Sequence, residues 1–176
     1  MLSLISERVI GPVQQLKNRD VYDQLTSLLL DYGAFKPLVG MLIKEEIRGN
    51  CALRQGSARV LEMCASQTEG INILSEHLPE IMQLVEGFIK VPEESEISRV
   101  KYPGATVLLD LSANEHCIER VAVMMRERGL YEVVIQELET SIARKIPRGS
   151  PDKVLFNRYR DLMIGIILNL TCNVEN

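Results

Sequence analysis

Three side chains able to form ion pairs or hydrogen bonds recur at one register of a seven-residue signature. Val60-Leu61-Glu62-Met63-Cys64-Ala65-Ser66 returns as Leu108-Leu109-Asp110-Leu111-Ser112-Ala113-Asn114 and again as Ile167-Leu168-Asn169-Leu170-Thr171-Cys172-Asn173. Glu62, Asp110 and Asn169 hold the same place in each copy, so stacked copies would align two carboxylates and an amide. Such a row suits the holding of another molecule. The opposing reading is that a carboxylate on an exposed helix face is merely solvated, and that any amphipathic helix is polar at this register. Asn169 could equally cap or bridge neighbouring helices.

Constellations for bond-breaking chemistry are weaker. His116-Cys117 sets a base beside a nucleophile, but adjacent residues on a helix point about 100° apart and cannot pair as a catalytic couple unaided. A core cysteine next to a surface histidine is the better reading. Cys51, Cys64, Cys117 and Cys172 all sit in apolar helical patterns and form no Cys-x-x-Cys pair, as expected of reduced thiols acting as small core residues. Two histidines with dispersed cysteines do not suggest the roughly four converging ligands of a zinc site. Neither a glycine-rich phosphate loop nor a His-Glu-x-x-His pattern occurs. The expectation is a non-catalytic chain with no metal and no cofactor. Asn169-Leu170-Thr171 matches a glycosylation sequon but lies within a helical pattern, and we read it as chance.

The elements that must position the polar row read as helices almost throughout. Apolar residues recur at three- and four-residue spacing in Phe35, Leu38, Val39, Leu42 and Ile43, in Leu78, Ile81, Met82, Val85 and Ile89, and in Tyr131, Val134, Ile135, Leu138 and Ile142, each set marking one buried helical face. Gly33 and Gly129 precede two of these stripes, where a left-handed cap would end one helix and let the next begin at an angle. Glu76-His77-Leu78-Pro79 stands at the equivalent place before the middle stripe. Shorter helices are expected over about residues 20 to 32, 68 to 77 and 115 to 128, the second capped by Thr68 and the third by Asn114. Each unit is then a short helix, a stripe helix and a signature helix. From Glu62 to Asp110 is 48 residues and from Asp110 to Asn169 is 59. Two polar connections, Val91-Pro92-Glu93-Glu94-Ser95-Glu96 and Ile146-Pro147-Arg148-Gly149-Ser150-Pro151-Asp152, can absorb the excess and should emerge on one side of a stack. Within the second, Ser150 precedes proline and is a candidate regulatory phosphorylation site, weighed against an ordinary surface linker.

The chain has 176 residues, 46% of them apolar, enough to bury a core as a single unit over residues 1–176. A net charge of -4 argues against general affinity for nucleic acid or anionic membranes, which need clustered Lys and Arg. The N-terminal stretch meets charge too early for a secretory signal, and no apolar run is long enough to span a bilayer. Together with the unpaired cysteines, this reads as a cytoplasmic protein, or a nuclear one.

Asp31-Tyr32-Gly33-Ala34-Phe35-Lys36-Pro37-Leu38-Val39-Gly40-Met41-Leu42 resembles the glycine-led second helix of the armadillo-repeat family, and Gly104-Ala105-Thr106-Val107-Leu108-Leu109-Asp110-Leu111-Ser112-Ala113 resembles its third helix. The resemblance covers most of residues 20 to 173. It implies an all-α fold, a right-handed α-α superhelix of about three armadillo-like repeats with incomplete repeats at the ends, with the related two-helix HEAT class as the alternative. Because no stripe follows the last signature helix, the chain reads as an excerpt of a longer protein, or as one whose open ends meet something else.

In that family third helices line a concave groove and the polar signature residue holds a partner's extended backbone. The resemblance therefore implies a partner-binding groove of Glu62, Asp110 and Asn169, with Arg59, Gln55, Tyr102 and Thr106 beside them. One turn earlier, Ala58, Thr106 and Gly165 stand where nuclear-import adaptors of the family carry tryptophan. The chain has no tryptophan, so an importin-like role is not expected. The small residues would permit close approach of a partner. The expected partner is a protein offering a basic or amphipathic segment. Gln67-Thr68-Glu69-Gly70 with Ser75-Glu76-His77-Leu78 and the late Met163-Ile164-Gly165-Ile166-Ile167-Leu168-Asn169-Leu170 is also similar to proteins joining tetratricopeptide and armadillo repeats, co-chaperones in assembling myosin or axonemal dynein, which implies an assembly-adaptor role. The alternative is self-association or interdomain docking through the ends and convex face.

Overall fold

The computed structural model describes residues 19–43, 51–91, 97–144 and 152–172. These form nine α-helices: α1 (Arg19–Asp31), α2 (Phe35–Leu42), α3 (Cys51–Ala65), α4 (Thr68–Glu76), α5 (Leu78–Ile89), α6 (Tyr102–Ala113), α7 (Ile118–Glu127), α8 (Leu130–Ala143) and α9 (Asp152–Cys172). A π-helical turn, Ile97–Lys101, runs directly into α6. No strand occurs among the described residues.

Gly33 and Gly129 both adopt φ +62°, the left-handed region that an L side chain enters only at a cost of about 1 kcal/mol. At the first, the Gly33 N–H donates to the Leu30 carbonyl at 2.8 Å and the Ala34 N–H to the Leu29 carbonyl at 2.8 Å. This pair of bonds is the Schellman arrangement that satisfies the last carbonyls of α1 and turns the chain into α2. Between α4 and α5 the junction is His77, at φ −124° and ψ 32°, with Pro79 in the first turn of α5 where no N–H is required.

Two expected caps are corrected. Gln67, in extended conformation and with no side-chain cap, precedes α4, so Thr68 is the first helical residue rather than the cap. Asn114 does not cap α7 directly, because residues 115–117 form an intervening turn. Its Oδ1 accepts the His116 N–H at 3.0 Å and its carbonyl accepts the Ile118 N–H at 2.9 Å.

The helices pack in a repeated order. Signature helices α3, α6 and α9 lie side by side, with α6 between the other two; α2 packs on α3 and α4, α5 on α6 and α7, and α8 on α9 and α7. Burial follows the stripes in the first two units: Phe35, Leu38, Val39 and Leu42 are buried, as are all five of Leu78, Ile81, Met82, Val85 and Ile89. The third stripe departs from expectation. Only Val134 is fully buried, Tyr131 and Leu138 are half-buried, and Ile135 and Ile142 are 45% and 59% exposed. The physical reason is neighbour number: α5 packs against helices of the units on both sides, whereas the main packing partners of α8 among the described helices are α5, α7 and α9. The long spacing to the third signature is partly helical, since α9 runs 21 residues against 15 for α3. No described helix is long and apolar enough to cross a membrane.

Candidate functional site

Helical periodicity brings the expected groove residues to one face. Gln55, Arg59 and Glu62 follow one another at four and three residues along α3, and Tyr102, Thr106 and Asp110 at four and four along α6; residues so spaced share a helix face. Asn169 continues the row on α9. All seven are half-buried, the condition of side chains on a wall rather than in the core.

Their partnerships differ from step to step. Arg59 Nη1 donates to Glu62 Oε2 at 2.8 Å, with the two side chains only 19% and 15% exposed, so the first carboxylate carries its own counter-charge. Asn169 Nδ2 donates to Ser112 Oγ at 3.2 Å, and Ser112 Oγ in turn donates to the Leu109 carbonyl at 2.8 Å. The amide thus bridges α9 to α6. Thr106 Oγ1 donates to the Tyr102 carbonyl at 3.0 Å, within its own helix. Asp110 is the exception, with no hydrogen bond or ion pair among the described residues. Burial, and then the nearby negative charge of Glu62, push its carboxyl up from 3.8 to about 6. An influence of Glu62 across the α3–α6 boundary makes the two acids neighbours on one face.

Two of the three small residues one turn earlier, Ala58 and Gly165, serve this chain's own packing, contrary to the expectation that they leave room for a partner, while Thr106 stays half-buried on the face. Ala58 is fully buried. At Gly165 a Cβ would come within 2.9 Å of Leu109 Cδ1, so the missing side chain lets α9 approach α6.

The remaining candidates separate in space. Cys117 is buried, its thiol pushed up by burial against the opposing charge of Arg120, while His116 is exposed with Nε2 3.7 Å from Glu115 Oε1. Cys64 is buried with its thiol pushed up to about 12 by desolvation, and its Sγ donates to the Gly70 carbonyl at 3.4 Å. Cys172, expected in the core, is exposed on the last turn of α9. No group of three or more His, Cys, Asp or Glu that could hold a metal occurs among the described residues. Ser150 and residues 92–96 lie outside the described residues.

One buried polar cluster escaped the sequence reading. Lys101 Nζ donates to Glu137 Oε1 at 2.8 Å and Oε2 at 3.0 Å, and the Tyr159 hydroxyl donates to Glu137 Oε2 at 3.2 Å. Lys101 and Tyr159 are 7% and 1% exposed. Burial first, then the Glu137 charge and hydrogen bond, push the Tyr159 hydroxyl well above its ordinary value. The cluster ties the π turn to α8 and α9 beside a cavity of about 190 Å³. Val91, Ile97 and Arg144 line that cavity. Val91 and Ile97 flank residues 92–96 and Arg144 precedes 145–151, so both described ends of the first polar connection and the described start of the second meet at this cavity. A signal existed: Glu137 stands three residues after buried Val134 and four before buried Ser141, a charged residue at a core-facing register.

Comparison with protein-family models, with curated proteins and with solved structures finds no match to this chain.

Proposed function

We propose that the chain is a non-catalytic protein-interaction module, an armadillo-like superhelix whose α3–α6–α9 face receives a basic or amphipathic segment of a protein partner. The observation that carries this reading is the uncompensated carboxylate of Asp110, half-buried beside a second acid, with no donor among the described residues. A lysine or arginine from a partner would supply the missing cation, and partial desolvation strengthens such a pair over a surface one. The side-by-side signature helices support the repeat assignment, since equivalent helices of a solenoid stack. The groove is narrower in chemistry than a row of three free polar groups: Glu62 is engaged by Arg59 and Asn169 by Ser112. Binding then centres on Asp110, with Glu62 exchanging or sharing its arginine. An assembly-adaptor or co-chaperone role in the cytoplasm is the cellular form of this proposal.

The test compares proteins captured by the native chain and by a Glu62→Lys, Asp110→Lys variant shown by circular dichroism and thermal unfolding to be folded. Loss of a basic partner from the variant alone supports the groove, and an unchanged set of partners refutes it.

A second reading has its own observation. Leu28 and Tyr32 on or after α1, and Ile164 and Leu168 one turn apart on α9, are 51%, 84%, 40% and 55% exposed. Apolar side chains grouped on the outermost described helices suit self-association or interdomain docking. Under this reading Leu168→Asp abolishes a concentration-dependent rise of mass in light scattering; under the groove reading the mass is independent of concentration in both proteins.

A further inference from the structure

A cavity of about 310 Å³ lies between α3 and α5, shares no lining residue with the α3–α6–α9 face, and has chemically lopsided walls. Leu84, Gly87 and Phe88 supply an apolar side, and Arg54, with Gln83 and the Glu86-paired Lys90, a polar and cationic one. The Arg54 Nε is buried and has no hydrogen-bond partner among the described residues. A buried donor left unmet is unfavourable, so the site favours a ligand that accepts from the guanidinium. Glu86 shares the wall but is committed elsewhere. Its Oε1 accepts from Lys90 at 2.7 Å and its Oε2 from Arg128 at 3.4 Å. Burial would raise the Glu86 carboxyl, but the hydrogen bonds and charges of Lys90 and Arg128 outweigh that and hold it below its usual value, so it stays ionised and neutralised by them. No ion pair to Arg54 occurs among the described residues.

We propose that this cavity captures the C-terminal residue of a partner chain, its free carboxylate on Arg54 and its large apolar side chain against Leu84 and Phe88. A carboxylate is the planar anion that matches a guanidinium fork with two parallel N–H bonds. The volume selects the source of that carboxylate. At the low end of the ~300–1,000 Å³ range of ligand pockets, the cavity has room for about one residue. A chain terminus carries acid and apolar side chain on a single carbon, whereas an internal acid needs a second residue to supply the apolar group. Capture of chain termini by small polar nests is a recurring recognition mode. Gly87 keeps the entrance open, since a Cβ built there meets nothing within 4 Å. The site is independent of the groove reading above and stands or falls without it.

The probe is N-acetyl-L-leucine, compared with its uncharged isostere N-acetyl-L-leucinamide and with acetyl-Asp-Leu-amide, which has an internal acid and no terminal carboxylate. Each is titrated into the full 15N-labelled chain and followed by the backbone amide signals. Saturable shifts at Leu84, Gly87 and Phe88 are expected for N-acetylleucine, with affinity at least tenfold weaker for the other two. Arg54→Gln is expected to erase the preference for acid over amide. Gly87→Leu, which adds a side chain into open space within a helix and so leaves the fold intact, is expected to abolish the shifts. Equal binding of acid and amide, acid preference surviving in Arg54→Gln, equal binding of the internal acid, absence of saturation at millimolar concentration, or shifts centred on Asp110 and Asn169 instead would each overturn the proposal.

Discussion

Replacing Asp110 by asparagine should stabilise the folded chain at neutral pH, although it removes a charged group from a half-buried wall. The carboxyl rises from 3.8 to about 6 on folding, first through burial and second through the charge of Glu62. An acid whose folded pKa lies above its unfolded value opposes folding in its ionised form. That cost is absent below about pH 3.8, grows as pH rises, and is complete above about pH 6. At ~1.4 kcal/mol per pH unit the rise corresponds to about 3 kcal/mol. Partial solvation of the face and the counter-charge of Arg59 on Glu62 reduce the expected gain to about 1–2 kcal/mol. The assay is urea unfolding of native chain and Asp110→Asn at two pH values, about 4.5 and about 7.5, at equal ionic strength. The variant should be more stable at the higher pH, and its advantage should shrink by half or more at the lower one. A variant that is equally or less stable at the higher pH would refute the reasoning, because Asp110 would then have a favourable partner. A carboxylate that opposes stability is compatible with a binding role for Asp110, since functional groups often trade stability for activity.

Three further outcomes follow from the packing. A Cβ on Gly70 would overlap the Cys64 carbonyl oxygen, a backbone atom that cannot step aside, so Gly70→Ala should cost about 3 kcal/mol or more in denaturant unfolding. Glu137→Gln should destabilise by about 3 kcal/mol, because it leaves Lys101 buried without its counter-charge, whereas Lys101→Met combined with Glu137→Leu should recover most of that loss. Alkylation with iodoacetamide at pH about 8, read by peptide mass, should modify Cys172 rapidly and leave Cys64 and Cys117 protected until the chain unfolds, since burial pushes both thiols up while Cys172 is exposed.

How much of this was legible in the sequence depended on whether a feature was local. The left-handed turns at Gly33 and Gly129 and the buried stripes of α2 and α5 follow from neighbouring residues and helical period alone, and they could be read directly. The shared face of Gln55, Arg59, Glu62, Tyr102, Thr106 and Asp110 was legible for the same reason. Their partners were not. That Glu62 is held by Arg59, that Asn169 reaches Ser112, and that Asp110 has neither depends on rotamers and on how α3, α6 and α9 abut. The third stripe misled because period reports which face is apolar, not whether another helix covers it, and α8 leaves Ile135 and Ile142 uncovered. Cys172 and Ala58 were misjudged likewise, one exposed by position at the end of α9 and the other buried by the approach of its neighbours. Lys101, Glu137 and Tyr159 come from three separate elements, and only the fold joins them.

The most direct test of the central claim is site-specific photo-crosslinking with benzoylphenylalanine introduced at Thr106, on the α3–α6–α9 face, and separately at Ile142, on the exposed side of α8. The account predicts that the Thr106 probe crosslinks to a lysine- or arginine-bearing segment of a partner protein and that Glu62→Lys, Asp110→Lys removes the adduct, while the Ile142 probe yields none with that segment. Crosslinks from Ile142 alone, or a Thr106 adduct that survives the charge reversal, would contradict it.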